Sequence, residues 1–192
     1  MGEVTIQDPA AAKVGAPAPA MAAAEAPQQY LTFQLGGEMF GLAILNVKEI
    51  IEYGNLTEIP MMPAFIRGVI NLRGCVMPVI DLSARFGGRP SQVARRTCIV
   101  IVEMKDEENE VRQDIGIMVD AVSEVLEIHR NEIEAPPSFG AKIRTDFIQG
   151  MGKVSGRFVI ILNMQRVLSI EEIAMLATAQ EHRGEQAALA EH

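Results

Sequence analysis

Phe65-Ile66-Arg67-Gly68-Val69-Ile70-Asn71-Leu72-Arg73-Gly74, continuing into Cys75-Val76-Met77-Pro78-Val79-Ile80-Asp81-Leu82, is the stretch from which the fold is read. Two runs rich in Val and Ile flank Arg73-Gly74, a pair able to take the positive-φ positions of a tight turn, so the stretch reads as a β-hairpin. Displaced by 82 residues, the order returns: Phe147-Ile148-Gln149-Gly150 falls on Phe65-Ile66-Arg67-Gly68, Gly156 on Gly74, Ile161-Leu162 on Val79-Ile80, and Asn163 on Asp81. Upstream, at a displacement of 75, Gly116 falls on Gly41, Val119 on Ile44, Val122 on Val47, and Glu124-Val125-Leu126-Glu127 on Glu49-Ile50-Ile51-Glu52. The change of displacement marks an insertion in the second copy around Ser138 to Arg144, beside the loop signal Pro136-Pro137.

Further strand-length runs are Tyr30 to Leu35, Glu38 to Leu42, Thr97 to Met104, Ile115 to Val119 and Phe158 to Leu162. Gly36-Gly37, Ser155-Gly156 and the longer, polar Asp106 to Glu110 supply turns. Two copies are too few for a solenoid, so the expected fold is all-β: two similar small barrels, 28–90 and 91–165, with short helices. A barrel of that size buries only about 60% of its unfolded surface and is marginal alone, so the two should pack as one unit with a groove between them.

The chain has 192 residues and a formal charge of −8, with 48% hydrophobic and 5% aromatic residues. That is enough apolar material for a core, and no Lys/Arg cluster offers the footprint of a nucleic-acid or anionic-membrane surface. The first 27 residues hold ten alanines and four prolines and read as a mobile leader. Glu3 and Asp8 stand where a signal peptide needs a basic start, and no run approaches a membrane span, so a cytoplasmic location is expected. Residues 166–192 read as a C-terminal helix and a second tail.

Chemistry-bearing motifs are thin. Cys75 and Cys98, 23 residues apart in apolar runs, read as small buried hydrophobes. Of three histidines only His129 lies near the core, so neither a zinc set nor any cofactor site is visible. Gly150 to Gly156 resembles a phosphate loop but has Phe147 and Val154 where glycine and Ser/Thr are required. Glu49 and Glu52 could share a face, yet no nucleophile elbow accompanies them, and no enzyme is expected. In Ile59-Pro60-Met61-Met62-Pro63 the methionines read first as core filling, second as an adaptable binding surface.

The copies differ most usefully at one place. The acidic position is filled in both, by Glu49 and Glu124, but Arg73 in the first hairpin becomes Ser155 in the second. Only the first copy can pair Glu with Arg, forming a charged spot beside Val47 and Ile50. An exposed ion pair contributes about 0–1 kcal/mol; apolar groups rimmed by a polar pair are equally the pattern of an interface.

The run Phe65 to Gly74, followed by Pro78-Val79-Ile80-Asp81-Leu82, resembles the signature of the CheW family of bacterial chemotaxis coupling proteins. Tyr30 to Gly41, Val47-Lys48-Glu49-Ile50, Gly116-Ile117-Met118-Val119-Asp120 and Phe147-Ile148-Gln149-Gly150 match it in order and spacing, and the resemblance covers about Gln28 to Leu176. It implies two SH3-like five-stranded barrels and a non-catalytic adaptor joining the histidine kinase CheA, through its regulatory domain, to the cytoplasmic tips of methyl-accepting chemoreceptors in membrane arrays. A CheW-like adaptor of a non-motility chemosensory pathway is the alternative. By position, the resemblance implies a receptor surface at Glu49 and Arg73, to which the apolar pattern adds Val47 and Ile50. For the kinase surface, Ile66, Arg67 and Gly68 are expected, since a bare glycine lets another barrel's backbone approach closely.

Overall fold

The computed structural model describes residues 26–105, 112–137 and 143–169. The strands are β1 (Gln28–Leu35), β2 (Glu38–Ala43), β3 (Val47–Glu52), β4 (Ile66–Leu72), β5 (Cys75–Asp81), β6 (Cys98–Lys105), β7 (Arg112–Val119), β8 (Ala121–Ile128), β9 (Ile133–Glu134), β10 (Ile148–Val154) and β11 (Arg157–Leu162). One-turn helices α1 (Leu82–Arg85) and α2 (Met164–Val167) close the two copies. The expected leader up to residue 25, the whole acidic turn Asp106 to Glu110, the core of the insertion at 138–142 and the tail from residue 170 lie outside the described residues.

All three two-residue turn signals form the turns they encode. Gly36-Gly37 (φ 60° and 85°), Arg73-Gly74 (51° and 86°) and Ser155-Gly156 (50° and 76°) have positive φ at both positions. They join the register pairs Leu35↔Glu38, Leu72↔Cys75 and Val154↔Arg157. Such turns match the right-handed twist of the strands they connect.

Two sheets result, in the orders β8-β1-β2-β11-β10-β9 and β3-β6-β7-β5-β4. In each, the chain leaving one edge strand curls round to the opposite edge: β9 pairs with β10, and Thr57 bridges Val69 of β4. Each sheet is thereby rolled into a barrel. The duplication is visible strand for strand, with β2, β3, β4, β5 and α1 recurring as β7, β8, β10, β11 and α2. Even the parallel pairings correspond, Gly41↔Ile161 in one barrel and Gly116↔Val79 in the other.

The division of the chain differs from the expected 28–90 and 91–165. The β1–β2 hairpin of the first copy pairs with β8 and β11 of the second, and β6–β7 of the second pairs with β3 and β5 of the first. Each barrel is one copy's opening hairpin closed on the other copy's remaining strands. Because the two hairpins present the same pattern of apolar faces, sequence periodicity does not specify which copy each one completes.

The largest apolar cluster lies between the barrels. Leu31, Phe33, Phe40 and Leu42 from one sheet meet Ile80, Val100, Val102, Ile115 and Val119 from the other, with Phe147, Met164 and Val167. Each barrel's own interior is smaller: Ile70, Met77, Val79, Ile99, Ile101 and Met118 in the β3–β7 barrel, and Tyr30, Ile128 and Ile161 in its neighbour. The expected mutual packing is therefore the main source of burial. Across this junction the buried Arg85 donates from Nε to the Val167 carbonyl at 2.8 Å, its guanidinium 4.9 Å from the Phe147 ring centroid.

Two expectations about burial are corrected. Cys75 is exposed and Cys98 only half-buried, because Cys75 directly follows the Arg73-Gly74 turn, where the strand has not yet entered the core. Met61 is 56% exposed and sits at φ 63° between the prolines, so it fills no core; Met62 is half-buried.

Candidate functional site

β3 is an edge strand with an irregular register. Val47 pairs with Val102 and Glu49 with Ile101, so Lys48 is an extra, bulged residue. The bulge changes which way the strand faces. Val47 and Ile50 pair with Val102 and Val100 and so lie on the sheet face turned toward the inter-barrel core, whereas Glu49 and Ile51 pair with Ile101 and Ile99 on the barrel-interior face. Without the bulge Val47 would share the Glu49 face.

Glu49 and Arg73 meet as the sequence suggested. Arg73 Nη1 and Nη2 donate to Glu49 Oε1 and Oε2, each at 2.9 Å, in a bidentate fork. The hydrogen-bonded carboxylate raises the guanidinium's pKa, keeping it charged. Arg73 comes from the β4–β5 turn and Glu49 from the opposite edge of the same sheet, so the pair straps the two edges of the barrel together. Of the four residues expected at this surface, Glu49 and Arg73 share the barrel mouth while Val47 and Ile50 occupy the other face of β3. Val47 is half-buried against the inter-barrel core; Ile50 is 43% exposed.

The second trio is arranged differently. Ile66 packs partly against the inter-barrel core, and Arg67 is the extra residue of another bulge, between the pairs Ile66↔Ile80 and Gly68↔Val79. Gly68 is buried at φ 148°, and a Cβ there would strike the Thr57 carbonyl oxygen and come within 2.8 Å of Leu56 Cδ2. The backbone that approaches this glycine is the chain's own, at the Thr57 bridge that closes the barrel. The expected reason for Gly68, close approach of another barrel, is corrected. Gly150 plays the same part in the second barrel, where its Cβ would strike Ile133.

Sequence reasoning missed two residues that the repeat could have supplied. Val122 and Val125 correspond to Val47 and Ile50, and they pair with Phe33 and Leu31 on the face turned toward the shared core. Val122 packs partly against that core and Val125 is 46% exposed. The inter-barrel junction is thus flanked by one valine and one exposed aliphatic residue from each copy. On the duplicate side the uncharged Ser155 cannot form the ion pair that Arg73 makes, and among the described residues no group of three His, Cys, Asp or Glu side chains could hold a metal. Two clefts among the described residues, of about 410 and 310 Å³, are lined by other residues, such as Met39, Met151 and Phe158, or Tyr30 and Ile133. The arrangement offers a contact surface, and no described helix is long and apolar enough to cross a membrane.

Comparison with known proteins points one way. The CheW-like domain family matches residues 29–172. The chain is 35% identical over 149 residues to the chemotaxis protein CheW of Klebsiella aerogenes, covering 78% of this chain and 86% of the relative. It is 30% identical over 145 residues to the probable chemotaxis protein CheW of Rhizobium etli, covering 76% and 90%. Among solved structures it resembles the scaffolding protein TtCheW from Thermoanaerobacter tengcongensis, with a TM-score of 0.66 and 38% identity, covering 74% of this chain and 88% of that one.

Proposed function

The chain belongs to the CheW-like family and is a chemotaxis adaptor, and from that premise we propose that it couples chemoreceptor cytoplasmic tips to the histidine kinase CheA and so controls the kinase in receptor arrays. The observation that carries this reading is the bidentate Glu49–Arg73 pair, present on one barrel and absent from its duplicate. Stability is a weak reason for it. An exposed ion pair contributes about 0–1 kcal/mol, whereas a non-glycine residue at φ 51° costs roughly 1–2 kcal/mol. Ser155 bears the same φ cost in the duplicate turn without an ion pair, so what sets Arg73 apart is its charge, which a partner can read.

The receptor surface is Val47, Glu49, Ile50 and Arg73, extended across the junction by Val122 and Val125. A helical tip laid along the junction would cover apolar residues from both barrels and meet a charged pair at the edge of one of them. The kinase surface is the bulged part of β4, with Arg67 as the polar contact, Ile66 beside it and Gly68 shaping the strand beneath. Phosphoryl transfer belongs to the kinase, and no cofactor is required. The adaptor acts by holding receptor and kinase together, which raises their effective concentration and fixes their orientation. It is cytoplasmic and reaches the membrane array through the receptor.

The test is a charge-reversal cycle. Glu49→Arg and Arg73→Glu should each weaken binding to a receptor-tip fragment about tenfold, equivalent to about 1.4 kcal/mol, and the double reversal should recover part of the loss. Singles that fold and bind like the wild type would overturn the assignment.

A further inference from the structure

The bulge that arranges the receptor face has its own anchor. Lys48, the unpaired residue, places Nζ 2.8 Å from Asp114 Oδ1 of β7 and 3.3 Å from Glu103 Oε1 of β6. Asp114 and Glu103 are register partners, and Arg112 approaches Glu103 from the other side at 3.5 Å. One side chain therefore ties the irregular point of edge strand β3 across two neighbouring strands. The hydrogen bonds that Lys48 donates to the Asp114 and then the Glu103 carboxylate raise the ammonium's pKa above its ordinary value.

The duplicate barrel repeats the bulge without the anchor. There the register also shifts, between Val122 and Val125, but Ser123 stands where Lys48 does, and the pair Gln34↔Met39 stands where Glu103↔Asp114 does. A bulge in this position is thus compatible with the fold without any charge to hold it. The Lys48 cluster and the Arg73–Glu49 pair distinguish the same barrel from its copy, and they are held from the two adjacent residues that lie between Val47 and Ile50.

We propose that Lys48 is a positioning residue for receptor coupling: clamped by Asp114 and Glu103, it fixes the bulge that turns Val47 and Ile50 to the junction and Glu49 to Arg73. The inference rests on the receptor reading above. A slip of one residue on one side of Lys48 would erase the bulge and put Val47 and Ile50 on opposite faces, so that only one of them could reach the junction. The clamp biases β3 against that slip at the one point where its ladder is interrupted.

The experiment measures binding of a chemoreceptor cytoplasmic-tip fragment to the full chain by titration calorimetry, with amide hydrogen exchange on the same variants. Lys48→Met and Asp114→Asn should each weaken binding about three- to tenfold, and the double variant should be no weaker than the worse single. Lys48→Arg should bind within about twofold of wild type. Exchange of the 47–50 amides should accelerate while β10 and β11 are unchanged. If Lys48→Met does not fold, Lys48→Gln and Asp114→Asn carry the same comparison. Additive losses, or weakened binding with unaltered exchange at 47–50, would show direct contact by Lys48 and overturn the positioning role. Unchanged binding in these variants, with Arg73→Glu weakened, would overturn the inference and leave the receptor surface standing. Unchanged binding in both sets would remove the receptor surface itself and the inference with it.

Discussion

Gly68→Ala separates two explanations of one bare glycine in a strand, internal closure and partner approach, by magnitude alone. At φ 148° an alanine is strained, and its Cβ would meet the Thr57 carbonyl oxygen, which belongs to the backbone and cannot swing aside, as well as Leu56 Cδ2 at 2.8 Å. The backbone strain costs about 1–3 kcal/mol and the overpacking about another 1–3 kcal/mol, for a central expectation of about 4 kcal/mol. In a folded unit of this size that lowers Tm by roughly 8–16 °C. Gly74→Ala is the control. Its φ of 86° is also positive, but nothing lies within 4 Å of the added Cβ, so only the conformational cost of about 1–2 kcal/mol applies. Urea and thermal unfolding followed by circular dichroism measure both. Gly68→Ala as stable as Gly74→Ala would refute the internal-closure argument, and loss of kinase binding at undiminished stability would place the close approach between molecules after all.

The exchanged hairpins make the barrels mutually dependent, so unfolding should be a single transition. Tyr30 lies in one barrel's interior cluster and Tyr53 packs against the other's; tyrosine fluorescence of Tyr30→Phe and Tyr53→Phe should give coincident midpoints, and separated midpoints would show independent barrels. At the start of β10's approach, Arg144 hydrogen-bonds Asp146 and holds its carboxyl below the usual carboxylate range. A depressed folded-state pKa stabilises the fold above the unfolded carboxylate's pKa, and that contribution is lost as pH falls through the folded value. Arg144→Ala should therefore shift the Asp146 carboxyl-carbon NMR titration upward and flatten the acid limb of the stability curve, and an unmoved titration would deny the pair.

How far the sequence could be read follows from what each strand buries. The hairpins announced themselves because Gly36-Gly37, Arg73-Gly74 and Ser155-Gly156 have one economical conformation between apolar runs. β3 and β8 were not evident as strands: they lie on sheet edges or rims, and Lys48, Glu49, Glu52, Glu124 and Glu127 dilute the apolar period that β6 displays plainly. β10 hid behind Lys153 and the glycines Gly150 and Gly152, which close packing against Ile133 and Ile128 demands. The Glu49–Arg73 pair was legible because the duplicated copy served as its own control. The Lys48 clamp was not, since a bulge appears only once strand register is known, and Asp114 lies 66 residues away in sequence. Nor could the sequence reveal that the copies exchange hairpins, because both arrangements bury equivalent faces.

An adaptor that couples receptor to kinase must join them physically and functionally. Co-sedimenting the full chain with receptor signalling fragments and CheA, and assaying kinase activity in the pellet, measures both at once. A ternary complex is expected, with kinase activity that depends on the chain and falls with Glu49→Arg. Absence of a ternary complex with every receptor–kinase set from its own cell, or kinase activity indifferent to the chain's presence, would contradict the coupling role.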